Sequence, residues 1–352
     1  MLKQCEIDLG GGGVTKLTLK DVTTQIDYEQ PMSYGVMTKG SEKVRSAIAD
    51  WFPGVDSDNV LVTSGTSEAN LLSHLHILES GDEYVAEKPS YQQTISFAKV
   101  LGCKVKEFHL DEKKDWKLDL KQLNEIVTKK TKVIFIDNPN NPTGATLTEK
   151  EMKAICEIAE DVGAYVFCDN ALRGSELDKR PAATPFEYYD KGIVTGSISK
   201  LGMTDPRLGW LIGNKDLVDA CWVFKDFTTL SHSKMGEYIA TKALQREKRL
   251  QIIERNLGFS KANLATLSKW IAENSNLMSW VPSKGGFTAF PKYNLQLNSV
   301  EFCTKLLDTK MVLLSPGEFF GVNKHFRISI GCKNEVMVAV LERLDDFMKQ
   351  HA

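Results

Sequence analysis

From about residue 60 the sequence alternates short apolar runs with amphipathic stretches, and few architectures accept that pattern. NVLVTSG (59–65), EYVAE (83–87), CKVKEF (103–108), KVIFIDNP (132–139), AYVFCD (164–169) and GIVTGS (192–197) read as strands. Between them TSEANLLSHLHIL (66–78), YQQTISFAKVL (91–101), LDLKQLNEIV (118–127) and TEKEMKAICEIAEDVG (148–163) carry helical apolar spacing. The last of these opens on Thr148 with Glu151 three residues on, a capping pair, and stops at Gly163. Near-continuous apolar strands separated by helices predict a mostly parallel, doubly wound α/β sheet with helices on both faces.

After about residue 216 the rhythm changes. A long, charged, helical stretch runs from Asp216 towards Ser279 with few breakers before Pro282. GGFTAF, a helix around 299–309, MVLLSP, FRISIG and a last amphipathic helix over 333–349 then describe a smaller α+β unit. A chain of 352 residues fits two domains. The expected division is an N-terminal arm or part of the small domain over 1–30, a large domain over 31–240, a connecting helix over 241–278 and a small C-terminal domain over 279–352. The Gly10–Gly13 run fails the G-x-G-x-x-G spacing and follows no strand, so it reads as a flexible turn.

Composition removes whole classes of function. With 44 Lys+Arg against 46 Asp+Glu the net charge is −2, no footprint for nucleic acid. No run of about 18 apolar residues could span a membrane. The start, MLKQCEIDLGGGGV, lacks a cationic segment followed by an apolar one. Seven cysteines, an odd number without a C-x-x-C pair, fit a reducing compartment, so a cytoplasmic location is expected. His74 and His76 are two apart and would point to different helix faces, so no metal centre is expected.

In open parallel sheets ligands bind beyond the carboxyl ends of the strands. The polar residues placed there are Ser64-Gly65-Thr66-Ser67, Asn138 to Gly144, Asp169, Ser197-Ile198-Ser199-Lys200 and, further on, Asp205-Pro206-Arg207. Gly-Thr-Ser at a helix start offers N–H groups, hydroxyls and the positive end of the helix dipole to a phosphate, although Thr66 and Ser67 serve equally as ordinary caps. Asp169 at the end of an apolar strand needs a cation or N–H donors. Lys200 after an apolar run is either an amine nucleophile of weakened charge or a lysine reaching out to solvent.

Together these pieces resemble the fold-type I pyridoxal-phosphate aminotransferases of class I/II over nearly the whole chain. The matching segments, in family order, are VTSGTSEAN (62–70), PSY (89–91), NPNNPTG (138–144), VFCD (166–169), SISK (197–200), RLGW (207–210), GGFTAFP (285–291), SPGEFFG (315–321) and FRISIG (326–331). The resemblance implies pyridoxal 5′-phosphate as cofactor, with Lys200 forming the Schiff base and then moving the proton between Cα and C4′. Asp169 would pair with the ring nitrogen, Asn141 would bond the ring oxygen O3′, and Tyr91 would stack on the ring. Gly65, Thr66, Ser67, Ser197 and Arg207 would hold the phosphate, and Arg327, with Asn141, would bind the substrate α-carboxylate. It further implies a homodimer with shared active sites, in which Tyr34 is the candidate to reach the partner's phosphate.

Two positions depart from the family pattern. Leu172 stands where most relatives carry a tyrosine that donates to O3′, and the Lys200-to-Arg207 gap is one shorter than usual. Losing that donor leaves O3′ more negative and favours a protonated imine. The shorter loop is similar to the valine–pyruvate aminotransferase branch and leans towards a neutral amino donor. The activity implied is exchange of an amino group between an L-amino acid and a 2-oxo acid. Alternatives are a C–S lyase or amino-acid decarboxylase of the same fold, or a non-catalytic binding protein. Arg327 weighs against decarboxylation, because a clamped carboxylate lies in the ring plane.

Overall fold

The computed structural model describes residues 5–30, 33–34 and 37–351. A two-residue strand, β1 (Ile7–Asp8), is followed by β2 (Val60–Thr63), β3 (Glu83–Lys88), β4 (Lys104–His109), β5 (Thr131–Asp137), β6 (Tyr165–Asp169), β7 (Gly192–Ser197) and β8 (Gly209–Ile212). Strands β2 to β8 form one seven-stranded sheet in the order β2-β8-β7-β6-β5-β3-β4. Only β8 is antiparallel, to β2 on one side and β7 on the other. The sheet is the doubly wound, mostly parallel α/β sheet that the alternation predicts.

Strand periodicity explains the two cores. On β5, Val133 and Phe135 face the helices Thr66–Ile77, Gln92–Val100 and Lys215–Phe224. Ile134 and Ile136 face the helices Leu120–Ile126 and Glu149–Glu160 instead. Each large side chain so buried contributes about 1.5–3 kcal/mol relative to exposure. The second of those helices begins at the capping pair read from sequence: the Thr148 hydroxyl receives the Glu151 N–H at 3.2 Å, and the Glu151 carboxylate receives the Thr148 N–H at 2.8 Å.

The charged stretch after Asp216 is three helices, not one: Lys215–Phe224, Lys234–Ala243 and Arg246–Glu273. Helical spacing continues through 225–233, but Asn214 and Ser233 cap new starts with their side chains, a local hydrogen bond that competes with propagation. The Arg246–Glu273 helix leads into short strands at Thr288–Ala289, Ser315–Pro316 and Phe326–Ser329, which pair antiparallel, and the helices Ser299–Lys310 and Asn334–Lys349 enclose the core around Phe302, Phe326 and Phe347.

The N-terminal segment packs against that unit. β1 pairs in parallel with Val312–Leu313, Leu9 enters the core there, and Leu17 donates its N–H to Gly202 O at 2.9 Å. Residues 5–17 therefore bridge the C-terminal unit and the loop after Lys200. No helix among the described residues is long and apolar enough to cross a membrane.

Candidate active site

The carboxyl ends of β2, β3, β5, β6 and β7 lie along one edge of the sheet, because parallel strands bring all their following loops to the same side. Arg207 precedes β8, and since β8 runs antiparallel its beginning meets the end of β7, with Gly209 opposite Ser197. Reversal of one strand thus delivers the arginine to the same edge. The small unit closes the other side with Arg327.

These ends surround a cavity of about 330 Å³, lined among others by Thr66, Ser67, Tyr91, Asn141, Asp169, Ser197, Lys200, Arg207 and Arg327. Gly65 forms its wall rather than its lining. At φ +84°, a Cβ there would stand 2.5 Å from Arg207 Nη2, so only glycine permits both the turn and the guanidinium. Arg207 itself has φ +50°, a strained backbone held by its surroundings.

Asp169 Oδ1 accepts the Ala171 N–H at 2.9 Å, and Oδ2 accepts from Asn70 Nδ2 at 3.2 Å. Asn70 is fixed in turn by the Thr195 hydroxyl at 2.7 Å. Beside Asp169 in the sheet register stands Asp137, whose carboxylate receives the Ser90 hydroxyl and the Tyr91 N–H, both at 3.0 Å. That bond fixes the backbone of Tyr91. Glu87 is the third buried carboxyl, accepting from Asn140 Nδ2 at 2.9 Å. None of the three carboxyls forms an ion pair among the described residues. Burial pushes all three pKa values above the ordinary carboxylate range, and their mutual repulsion pushes Asp137 further.

Lys200 shows the complementary effect. Burial, then the charges of Arg327 and Lys16, bring its amine down to about 8, against a smaller opposing pull from Asp169. Arg327 donates from Nη1 to Asn141 Oδ1 at 3.0 Å and from Nη2 to Gly10 O and to Ser315 Oγ, the latter at 3.3 Å. Its Nε–H is buried with no acceptor among the described residues. Burial lowers its pKa to about 10, still cationic at neutral pH.

The donor set fits pyridoxal 5′-phosphate. A buried aspartate without a cation suits a protonated ring nitrogen. The Thr66 hydroxyl is buried and has no partner among the described residues, at the start of a helix beside Ser67, Ser197 and Arg207, which suits a phosphate. Arg327 with an unpartnered Nε–H suits a carboxylate.

One sequence expectation is corrected and several residues were missed. Gly10–Gly13 is not merely a flexible turn: Gly10 O holds Arg327, and Gly12 lines the cavity, where a Cβ would lie 3.4 Å from Arg327 Nη1. Sequence reasoning also passed over Asn70, Gln93 and Asp137. Asn70 lies one helical turn after Thr66, and Asp137 ends an apolar strand as Asp169 does, so both were findable by logic already in use. Leu172 is 4% exposed and lines the cavity, packed with Val14 and Phe287. Tyr34 is outside its own cavity and 66% exposed.

Comparison with known proteins agrees with this reading. The chain is 30% identical to a probable aspartate aminotransferase of Methanocaldococcus jannaschii, over 81% of this chain and 76% of that protein. It is 26% identical to capreomycidine synthase of Streptomyces vinaceus, over 99% and 91% respectively. A PLP-dependent aminotransferase of Streptococcus suis superposes with a TM-score of 0.92 at 30% identity, covering 99% of this chain and 94% of that one. The profile of aminotransferase class I and II matches residues 7–344, and the chain belongs to that family as a pyridoxal 5′-phosphate-dependent aminotransferase of the type I fold.

Proposed function

We propose that this enzyme moves an amino group between an L-amino acid and a 2-oxo acid in two half-reactions, with Lys200 as the covalent anchor and proton carrier. The observation that carries the proposal is the convergence on one cavity of a half-buried lysine of depressed pKa, an unpaired buried aspartate and a carboxylate-ready arginine. When bound, pyridoxal 5′-phosphate supplies a cationic conjugated ring that accepts the electron pair left by the substrate Cα–H bond. Asp169 keeps that ring cationic. Arg327 takes the substrate α-carboxylate through a forked contact, which orients the Cα–H bond towards Lys200. Lys200 Nζ is the base placed to take the proton from the substrate Cα and to hold it for return. Tyr91 covers one ring face, and Asn141, already bonded to Arg327 through Oδ1, keeps its Nδ2 for the ring oxygen. Thr66, Ser67, Ser197 and Arg207 hold the phosphate.

A panel of amino donors with pyruvate and with 2-oxoglutarate, following the 2-oxo acid produced, tests the reaction. Turnover that requires the acceptor is expected. Pyruvate and ammonia released without an acceptor would instead mean a lyase.

The Leu172 position makes a spectroscopic prediction. With no hydroxyl there, the ring oxygen holds more negative charge and the neighbouring proton is held more tightly. Leu172→Tyr is expected to lower the pH midpoint of the bound chromophore's colour change by about one unit, roughly the worth of one hydrogen bond to a charged group. An unchanged midpoint in a pH-absorbance titration contradicts it.

The chain works as a homodimer in this reading. Support comes from an apolar surface at Val223, Phe227, Leu230 and Met235, with Phe227 80% exposed, beside Tyr34, whose backbone carbonyl accepts the Ser231 hydroxyl at 3.1 Å. Phe227→Asp is expected to weaken self-association by roughly 30-fold or more, read by sedimentation velocity. Identical sedimentation of the variant and the parent across a dilution series would contradict it.

A further inference from the structure

Helix Thr66–Ile77 carries in its first turn a buried carboxylate that the reaction does not use. Glu68 Oε2 accepts the Ser64 N–H at 2.6 Å and Lys225 Nζ at 3.4 Å, while Oε1 accepts the hydroxyls of Thr228 and Thr229, both at 2.6 Å. Lys225 is 0% exposed, and its other side-chain bond runs to Thr229 Oγ1 at 3.3 Å. Four donors from two distant segments thus meet on one side chain.

We propose that Glu68 is a positioning residue for the cofactor phosphate, holding the Ser64–Ser67 turn in its phosphate-accepting shape by anchoring it to the 225–229 segment. The inference rests on the reading of that turn as the phosphate site. With its N–H tied to Glu68, Ser64 presents its carbonyl to Arg207 Nη2 at 3.5 Å, and Gly65 is held at the positive φ that leaves room for the guanidinium. The hydroxyl of Thr66, two residues before Glu68, has no partner among the described residues.

An anion so close to an anion site would repel the ligand unless neutralised, and the buried Lys225 ammonium 3.4 Å from Glu68 Oε2 neutralises it. Burial raises the Glu68 pKa, but Lys225, the Ser64 N–H and the two hydroxyls outweigh it and keep the carboxylate ionised. The same segment leads to Ser231, so it also joins the phosphate turn to the surface that bears Tyr34.

The test compares binding of pyridoxal 5′-phosphate and of pyridoxal, which lacks the phosphate, to the apoenzyme, with ³¹P NMR of the bound cofactor. Glu68→Gln keeps the side chain's size but turns one acceptor edge into a donor. It is expected to weaken pyridoxal 5′-phosphate binding about tenfold or more, to shift the ³¹P resonance, and to leave pyridoxal binding within about twofold. Because Glu68→Gln strands a buried lysine, the double variant Glu68→Gln/Lys225→Met is made beside it. Its thermal stability is expected to recover while phosphate-dependent affinity stays low. Equal losses for both vitamers, or recovery of affinity together with stability, would overturn the inference. A parent enzyme with no preference for the phosphorylated vitamer would remove the phosphate reading of the turn, and this inference with it. A parent that prefers it, with variants that keep the full preference, would remove this inference alone.

Discussion

Lys200→Ala is expected to lose turnover by roughly 10⁴-fold or more, the general acid–base contribution of about 10²–10⁴ compounded by the loss of covalent attachment. Borohydride reduction followed by peptide mapping should fix the cofactor on Lys200 in the parent and nowhere in the variant. The depressed pKa adds a pH signature. A lysine at the ordinary 10.5 would be neutral in only a few ten-thousandths of molecules at pH 7, whereas one at about 8 is neutral in roughly a tenth. Only the neutral amine attacks an aldehyde, so the rate of cofactor recombination with the apoenzyme should rise through about pH 8 and level off above it. A rate still climbing tenfold per pH unit beyond pH 9 would mean that burial does not shift this amine.

Asp169→Asn is expected to reduce turnover by about 10²–10⁴-fold, since losing one partner of a buried charge pair costs about 3–5 kcal/mol and each 1.4 kcal/mol is tenfold in rate. The effect on the apoenzyme runs the other way. A carboxyl whose folded-state pKa is raised destabilises the fold at any pH where it must ionise, and that cost disappears below the unfolded pKa. Asp169 is buried beside Asp137 without an ion-pair partner, with Lys200 attracting it only from a distance. The asparagine variant of the apoenzyme should therefore melt higher than the parent at pH 7, and the difference should shrink as pH falls towards the ordinary carboxylate pKa. Addition of cofactor should reverse the order at pH 7, because the ring cation rewards only the aspartate. Melting curves for apo and loaded forms at both pH values decide this. A variant that is less stable than the parent in the apo form would contradict the electrostatic reading of this end of β6. The outcome also bears on Asp137 and Glu87, whose raised pKa values come from the same burial.

Much of this was legible from the order of residues, for a definite reason. Strand burial on both faces writes itself as near-continuous apolar runs, and in a parallel sheet the residue after each run is delivered to a common edge. Asp169, Asn141, Ser197 and Lys200 could therefore be selected without knowing which strand lies beside which. Those local rules also located the capping pair at Thr148 and Glu151, since a cap is completed within four residues of chain.

What chain order could not supply was neighbourhood. The antiparallel setting of β8, which carries Arg207 to the cavity beside Thr66, Ser67 and Ser197, is a choice of direction made by sheet pairing. That Gly10 O and Asn141 hold Arg327, more than 180 residues away from either, depends on how the small unit closes over the sheet. The crowding of Glu87, Asp137 and Asp169 follows from strand order, in which β3, β5 and β6 lie side by side although their residues are dispersed along the chain. Sequence set the chemical types and the edge on which they stand. Tertiary packing decided their distances, and with them the charge each group carries, because electrostatic energy depends on separation and burial, neither of which is a property of position along the chain.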